Sequence, residues 1–566
     1  MFRILLALLL LICSLQNPCR AQKDTLHKLH PPLNIPLLLS ANFGELRPHH
    51  FHMGVDFKTN GKEGLSLFSV DSGYVARVKI SPNGYGKVLY INHPGGITSV
   101  YAHCSKFPSF IDSVIRKSQQ ALESTEVDVF FPPDELRVSR GQLVAYSGNT
   151  GHSFGPHLHF EIRETATDVA LNPLLYGFEV ADHRPPAIKR VKAYALTKEG
   201  YRIPGKAQIA PITLVNNQRR IAKDTLAIPA HFCSTDGGIG LAFEATDTYD
   251  GAANVCGLYA SQLEINGERV FEQRIDRVSF QHTRYINGHK DYAEYTNHKG
   301  EFHKAFRTHH NPLEIYPGNH NGIIKVQPGQ SMPVHYNAND LNGNNSALQF
   351  TLLALPGTVS NTTNLFPASS YFFPDSSYYF ENDYVVFKAD RNTFYEPTPR
   401  NLSTSGTFRF GDPNVPIDKA IQVKFKLPEG KVNQGKYYIA VVTEKGKRKA
   451  LKSRVEGSMV VAESAFLGTF SLKRDTIAPT LAPSNFKVTE KVGLKPRISW
   501  TLKETETDIG DYDAWVDGKW VPIEHEPKAD LLILSTTGML PGIHEVVVSA
   551  SDQVGNRREW KYKLNF

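Results

Sequence analysis

Two short motifs hold the atoms for metal chemistry. His52-Met53-Gly54-Val55-Asp56 sets an imidazole and a carboxylate four residues apart, and the glycine between them lets the chain turn back onto one centre. Imidazole nitrogen and carboxylate oxygen both bind Zn2+ at about 2.0–2.2 Å. His157-Leu158-His159 falls on an expected strand. Residues i and i+2 of a strand share a face, so both imidazoles look into one site. Three protein ligands with an open position is the layout of a catalytic zinc, whereas a structural zinc closes its fourth position. His103, at the end of another expected strand, is a further polar group that could converge there. Either motif alone recurs by chance. His49 and His50 beside His52 are expected to be solvated or structural, although His50 and His52 form a second H-x-H off any expected strand. The weight lies on HMGVD, His103 and HLH falling in order within one strand-rich stretch.

The elements that must position these groups read as short strands between Gly and Asn turns, from about Leu37 to Tyr176. Expected strands are Gly73–Ile80, Gly86–Asn92, Ile97–Ala102, Gln142–Ser147 and His157–Arg163, punctuated by Ser81-Pro82-Asn83-Gly84 and His93-Pro94-Gly95-Gly96. This is an antiparallel all-β pattern with one interruption. Phe110–Leu122 has helical apolar spacing at Phe110, Ile111, Val114 and Ile115, inside an insertion over residues 105–140. Both flanking strands lead to the histidines. The insertion is therefore expected either to pack its apolar residues on the domain and border the groove with Lys106, Arg116, Lys117, Glu123 and Glu126, or to be a structural excursion far from the groove.

At these residues the chain resembles the lysostaphin-type (LytM-like) zinc endopeptidases of peptidoglycan. The H-x-G-x-D motif is His52, Gly54 and Asp56, and Y-x-H is Tyr101, Ala102 and His103. The family's glycine- and threonine-rich loop is similar to Tyr146-Ser147-Gly148-Asn149-Thr150-Gly151, and G-x-H-L-H-F-E runs from Gly155 to Glu161. Phe43-Gly44-Glu45-Leu46-Arg47 resembles the family's lead-in. The resemblance implies that His52, Asp56 and His159 are zinc ligands and that His103 and His157 are catalytic. It leaves open which of those two is the general base and which stabilises the oxyanion. It implies peptidoglycan stem peptides or cross-links as substrate, with D-Ala–meso-diaminopimelate bonds and glycine bridges both within reach; the long multidomain architecture favours the former. Two departures stand out: Cys104 follows His103, and residues 105–140 are long for the family. A non-catalytic LytM-like module that binds peptidoglycan or activates another hydrolase is the alternative, against which all three ligands are present. An adhesin or structural envelope protein is the third reading.

The rest of the 566 residues bounds the setting. At roughly 100–200 residues per domain, the length implies about three to five domains. Hydrophobic residues at 41% and charged residues at 21% exclude a mainly disordered chain. A net charge of +7 without a Lys/Arg block gives no reason to expect nucleic acid. Residues 1–21 read as a signal peptide: Met1 and Arg3 precede the apolar run Ile4–Cys13, and Ala21 offers a cleavage position. That run is shorter than the roughly 20 residues needed to span a bilayer. Ile12 and Pro18 precede the leader cysteines where a lipid anchor wants a small residue, so none is expected. The mature chain is expected to be exported, periplasmic or envelope-associated, without a transmembrane helix. Cys104, Cys233 and Cys256 remain, and Cys233 could pair with Cys256.

The expected divisions are a peptidase domain over 22–185, a β-sandwich over 186–356, a β-rich unit over 357–475 and an immunoglobulin-like unit over 476–566. The last carries a hairpin turning at Asp517-Gly518 and a D-x-x-G-N turn at Asp552–Asn556.

Overall fold

The computed structural model describes residues 28–566 apart from 216–217, 234–235, 360–364, 404–407, 430–434, 444–445, 489–490 and 494. The expected signal peptide lies outside the described residues. The fold is all-β. Strands β1 (Leu39–Ala41), β2 (Val55–Lys58), β3 (Ser66–Phe68), β4 (Gly73–Ile80), β5 (Lys87–His93) and β6 (Ile97–Cys104) come first. Helix α1 (Ser109–Leu122) follows, then β7 (Val127–Phe130), β8 (Arg137–Val138), β9 (Leu143–Tyr146), β10 (His157–Glu164) and β11 (Ala170–Leu171). The main sheet runs β1-β2-β10-β6-β5-β4-β7, with β8 on β4 and β11 on β10, while β3 and β9 form a separate pair. Every pairing among these strands is antiparallel.

Strand β10 shows why the sheet forms here. Leu158, Phe160 and Ile162 alternate onto the core face and are fully buried. The period of two sends His157, His159, Glu161 and Arg163 to the opposite face. In register, His159 stands across from Asp56 on β2 and from Ala102 on β6. Three central strands thus bring the site residues together.

The insertion is helical where expected, and α1 buries Ile111, Ile115 and Gln119. It does not run along the histidine strands: it carries β7 to the far edge of the sheet, on β4. Phe130, expected to pack, is 68% exposed and has Arg77 over its ring. Three further units follow. The first has a four-stranded and a seven-stranded sheet within residues 187–354, and its strand Arg277–Val278 pairs with β11, so the main sheet continues into it. One hydrophobic core runs from Leu29 through this unit to Tyr395. The other two units are two-sheet sandwiches with their own cores, one around Phe387 and Phe470 and one around Trp500 and Trp560. Cys104, Cys233 and Cys256 are buried free thiols, so Cys233 and Cys256 are not paired. Cys256 is held instead by a two-way backbone pairing with Asp247. No helix among the described residues is long and apolar enough to cross a membrane.

Candidate metal centre

His52, Asp56 and His159 bring one ligand atom each to a common point. His52 Nε2 is 3.1 Å from Asp56 Oδ1 and 3.0 Å from His159 Nδ1, and His159 Nδ1 is 2.9 Å from Asp56 Oδ1. The tautomers follow from the other ring nitrogens. His52 Nδ1 donates to the Asn42 carbonyl at 2.7 Å, and His159 Nε2 donates to Glu161 Oε1 at 2.8 Å. Each imidazole therefore turns a lone pair toward Asp56. Three electron-rich atoms about 3 Å apart repel one another unless a proton or a metal cation lies among them, and two ligands of one tetrahedral zinc are separated by roughly that much. Electrostatics agrees. Burial opposes charge at both residues, yet Asp56 is held well below the usual carboxylate range by His52, His157 and His159, and His159 is raised to about 9 by Asp56 and Glu161. The pocket favours positive charge at this point, and its N, N, O donor set fits zinc.

Sequence-local features build the centre. A Cβ on Gly54 would meet the Phe160 carbonyl oxygen at 2.4 Å and Glu161 Cγ at 2.8 Å, so only glycine lets the turn between His52 and Asp56 lie against β10. The loop that presents His52 is held from outside the domain. Asn42 Nδ2 donates to the Gly257 carbonyl and the Gly257 amide donates to Asn42 Oδ1, both at 2.8 Å. Thr283 Oγ1 accepts from the Phe51 amide, and Lys290 Nζ donates to the Arg47 and Pro48 carbonyls.

His103 and His157 face the same point from the other side, with ring centroids 4.9 Å apart. His103 sits in the left-handed region at φ 58°. Its Nδ1 donates to the Thr150 carbonyl at 2.7 Å, and His157 Nδ1 donates to the Gly155 carbonyl at 2.8 Å. Both keep Nε2 as the free lone pair, and His157 Nε2 is 3.5 Å from Asp56 Oδ1. Burial, with His159 and His157 next in importance, pushes the His103 imidazole down to about 3, so it stays neutral. The loop 149–155 thus orients both histidines alike. His49 packs on Tyr292 and Phe466, and His50 is exposed. Cys104 is fully buried and its thiol is pushed up to about 12 by burial, which makes it a small core residue rather than a reactive one.

Motif reading names Glu161 as the last residue of G-x-H-L-H-F-E without giving it a role, and does not reach Arg163 or Tyr85 behind this layer. Glu161 is fully buried, accepts from Arg163 Nε at 2.6 Å and Tyr85 Oη at 2.5 Å, and is held down to about 2 against the effect of burial, chiefly by Arg163 and His159. The signal that finds Glu161 and Arg163 is the same period of two that pairs His157 with His159. Loop 149–155 also meets the last sandwich. Lys528 Nζ donates to the Asn149 carbonyl, Tyr512 Oη to Glu126 at 3.0 Å and the Ile523 amide to Thr125 Oγ1 at 3.0 Å, while Lys87 pairs with Glu524 at 2.6 Å. Between the two lies a cavity of about 400 Å³ lined by Lys87, Glu126, Thr150, Tyr512, Glu524 and Lys528.

Residues 50–120 and 131–173 match Peptidase family M23, and the gap between the two segments falls inside the insertion. An uncharacterized metalloprotease of Haemophilus influenzae is 31% identical over 131 residues, 23% of this chain and 21% of that protein. The peptidoglycan DD-endopeptidase ShyA of Vibrio cholerae is 28% identical over 137 residues, 23% of this chain and 26% of that protein. This chain thus spans about a quarter of the length of these relatives. Among solved structures, the catalytic domain of the prophage-encoded M23 protein EnpA from Enterococcus faecalis aligns at 24% identity and a TM-score of 0.20, over 26% of this chain and 97% of that chain.

Proposed function

We propose that this chain, which carries a peptidase family M23 domain, is an exported zinc-dependent endopeptidase that hydrolyses peptide bonds in peptidoglycan. The observation that carries the reading is the approach of His52 Nε2, Asp56 Oδ1 and His159 Nδ1 to about 3 Å of one another, with both ring tautomers set so that lone pairs converge. His52, Asp56 and His159 would hold the zinc, which when bound would polarise the scissile carbonyl and lower the pKa of water toward 7.

The chain's own residues do the rest. A neutral histidine with a free Nε2 accepts the proton of the attacking water and returns it to the leaving amine. The second donates from Nε2, once protonated, to the carbonyl oxygen as it gains charge. His103 and His157 share a tautomer, each tied through Nδ1 to a backbone carbonyl; burial keeps His103 neutral, which suits it to the accepting role and leaves the donating role to His157. Glu161 keeps the His159 ring turned and its Nδ1 basic, in the manner of a carboxylate–histidine–metal relay. Backbone carbonyls of loop 149–155 hold the catalytic pair.

The substrate assignment rests on the family resemblance and on the DD-endopeptidase among the relatives. Export rests on the apolar run Ile4–Cys13 after Arg3. Metal analysis of the purified chain tests the centre: one zinc per chain is expected, lost in Asp56→Ala. A chain that is zinc-free after incubation with zinc overturns the reading.

A further inference from the structure

A second group of acidic side chains lies away from the M23 site, where the peptidase domain passes into the next unit. Asp182 is in the connecting segment. Asp247 follows the strand Gly238–Thr246, and Asp340 follows the strand Ser331–Asn339. Their exposures are 6%, 2% and 4%, and one carboxylate oxygen from each lies within 4.8 Å of the others. Asp182 Oδ1 accepts from the Arg184 amide and Asp247 Oδ1 from the Thr248 amide. The Oδ2 atoms of both are buried with no hydrogen-bond partner. A buried carboxylate oxygen without a donor is strongly unfavourable. Nearby, Arg184 lies 3.4 Å from Asp250 and donates from Nη2 to the Ala252 carbonyl, while its Nε is buried without a hydrogen-bond partner.

A control is built into the chain. Asp340-Leu341-Asn342-Gly343-Asn344 repeats the D-x-x-G-N turn of Asp552-Gln553-Val554-Gly555-Asn556. In each, the asparagine Nδ2 donates to the aspartate Oδ2 at 2.6 Å and to the carbonyl of an upstream aspartate, Asp182 or Asp475, at 3.2 Å. The second turn also gathers three acids, Asp475, Glu504 and Asp552, but leaves none of their oxygens buried without a partner. The turn makes the cradle twice, and only the first copy leaves two oxygens wanting a cation.

We propose that Asp182, Asp247 and Asp340 form a calcium site that locks the peptidase domain to the following unit. All donors are carboxylate oxygens, which select a hard cation over zinc; magnesium dehydrates reluctantly and takes one or two carboxylates rather than a dry cage of three. The site joins the connecting segment to strand ends from both sheets of the next unit. It also reaches the M23 site. Asp247 exchanges backbone hydrogen bonds with Cys256, Gly257 exchanges two with Asn42, and Asn42 O accepts from His52.

The competing explanation is a proton shared among the acids. Burial first, and then the neighbouring acids, raise Asp247 to about 7 and raise Asp182, with Asp340, Asp250 and Arg184 the charged groups facing them. A carboxyl raised on folding binds more protons in the folded state. Without a cation, stability would therefore fall as pH rises from about 4 to 7.

The test uses the full zinc-loaded chain at pH 7.5. Calcium from zero to 10 mM should raise the melting temperature by about 3–6 °C, as binding at 10⁻⁴–10⁻³ M implies. Asp247→Asn should melt no lower than the parent without calcium and should respond by less than about 1 °C. Equal responses from parent and Asp247→Asn overturn the site, as does a parent that ignores calcium and only loses stability with rising pH. Should Asp247→Asn fail to fold, terbium luminescence on the parent decides. Terbium displaced by millimolar calcium and retained in Asp552→Asn supports the site; no displaceable terbium overturns it.

Discussion

Glu161 offers no atom to the candidate metal centre, yet its carboxylate decides which nitrogen of His159 is free. Glu161→Gln keeps the shape and removes the charge. We expect zinc affinity to fall about 10- to 100-fold, measured by competition with a chromophoric chelator. His157→Ala should separate the roles differently. Its Nδ1 is tied to Gly155 and its Nε2 approaches Asp56 without closing the triangle, so zinc should stay while turnover falls about 10²–10⁴-fold. Zinc loss in that variant would mean that His157 and His159 exchange roles. The ligand residues are legible in sequence because each motif is local: four residues separate His52 from Asp56, and two separate His157 from His159. What brings the motifs together is not local. The register that sets His159 against Asp56 joins residues 103 positions apart, and nothing in either motif states it.

At the scale of elements, most strands are readable from alternation and turns. Gly73–Ile80 coincides with its expected bounds, and α1 begins one residue before its apolar pattern. The destination of the insertion is not readable, because strand pairing is chosen by edges and packing rather than by chain order. With β7 on β4, the insertion closes the sheet edge away from β2, β10 and β6. Ile111, Ile115 and Val127 are buried there, and Phe107 and Phe131 are nearly so. Replacing residues 107–136 by a Gly/Ser linker should therefore act first on stability. A fall in melting temperature of more than about 5 °C with zinc content unchanged is expected, given that each large apolar side chain lost from a core is worth about 2–5 kcal/mol. Calorimetry with metal analysis checks this. An unchanged melting temperature would return the insertion to a purely groove-lining role.

At the scale of the whole molecule, the units after the domain that carries the histidines are more than tethers. The first of them, over residues 187–354, clamps the loop around His52 through Gly257, Thr283 and Lys290. The last sandwich reaches the loop that orients His103 and His157 through Lys528. Composition and turn signals mark such units as separate folds but are silent about these contacts, which join residues as far apart as Lys87 and Glu524. The C-terminal unit is thus in contact with the domain that carries the histidines. Lys528→Ala should lower kcat on a soluble muropeptide about 2- to 10-fold with zinc retained, since a typical hydrogen bond is worth about 0.5–1.5 kcal/mol net. Equal kinetics in parent and variant would make the contact incidental to turnover.

The most direct test of zinc-dependent hydrolysis at this centre is mass spectrometry of peptides released from purified sacculi by the zinc-loaded chain and by His159→Ala, side by side. The account predicts new muropeptide termini at one type of stem-peptide or cross-link bond from the parent, and none from the variant, which should also lack zinc. New termini produced equally by both, or by neither when the parent holds one zinc per chain, would contradict it.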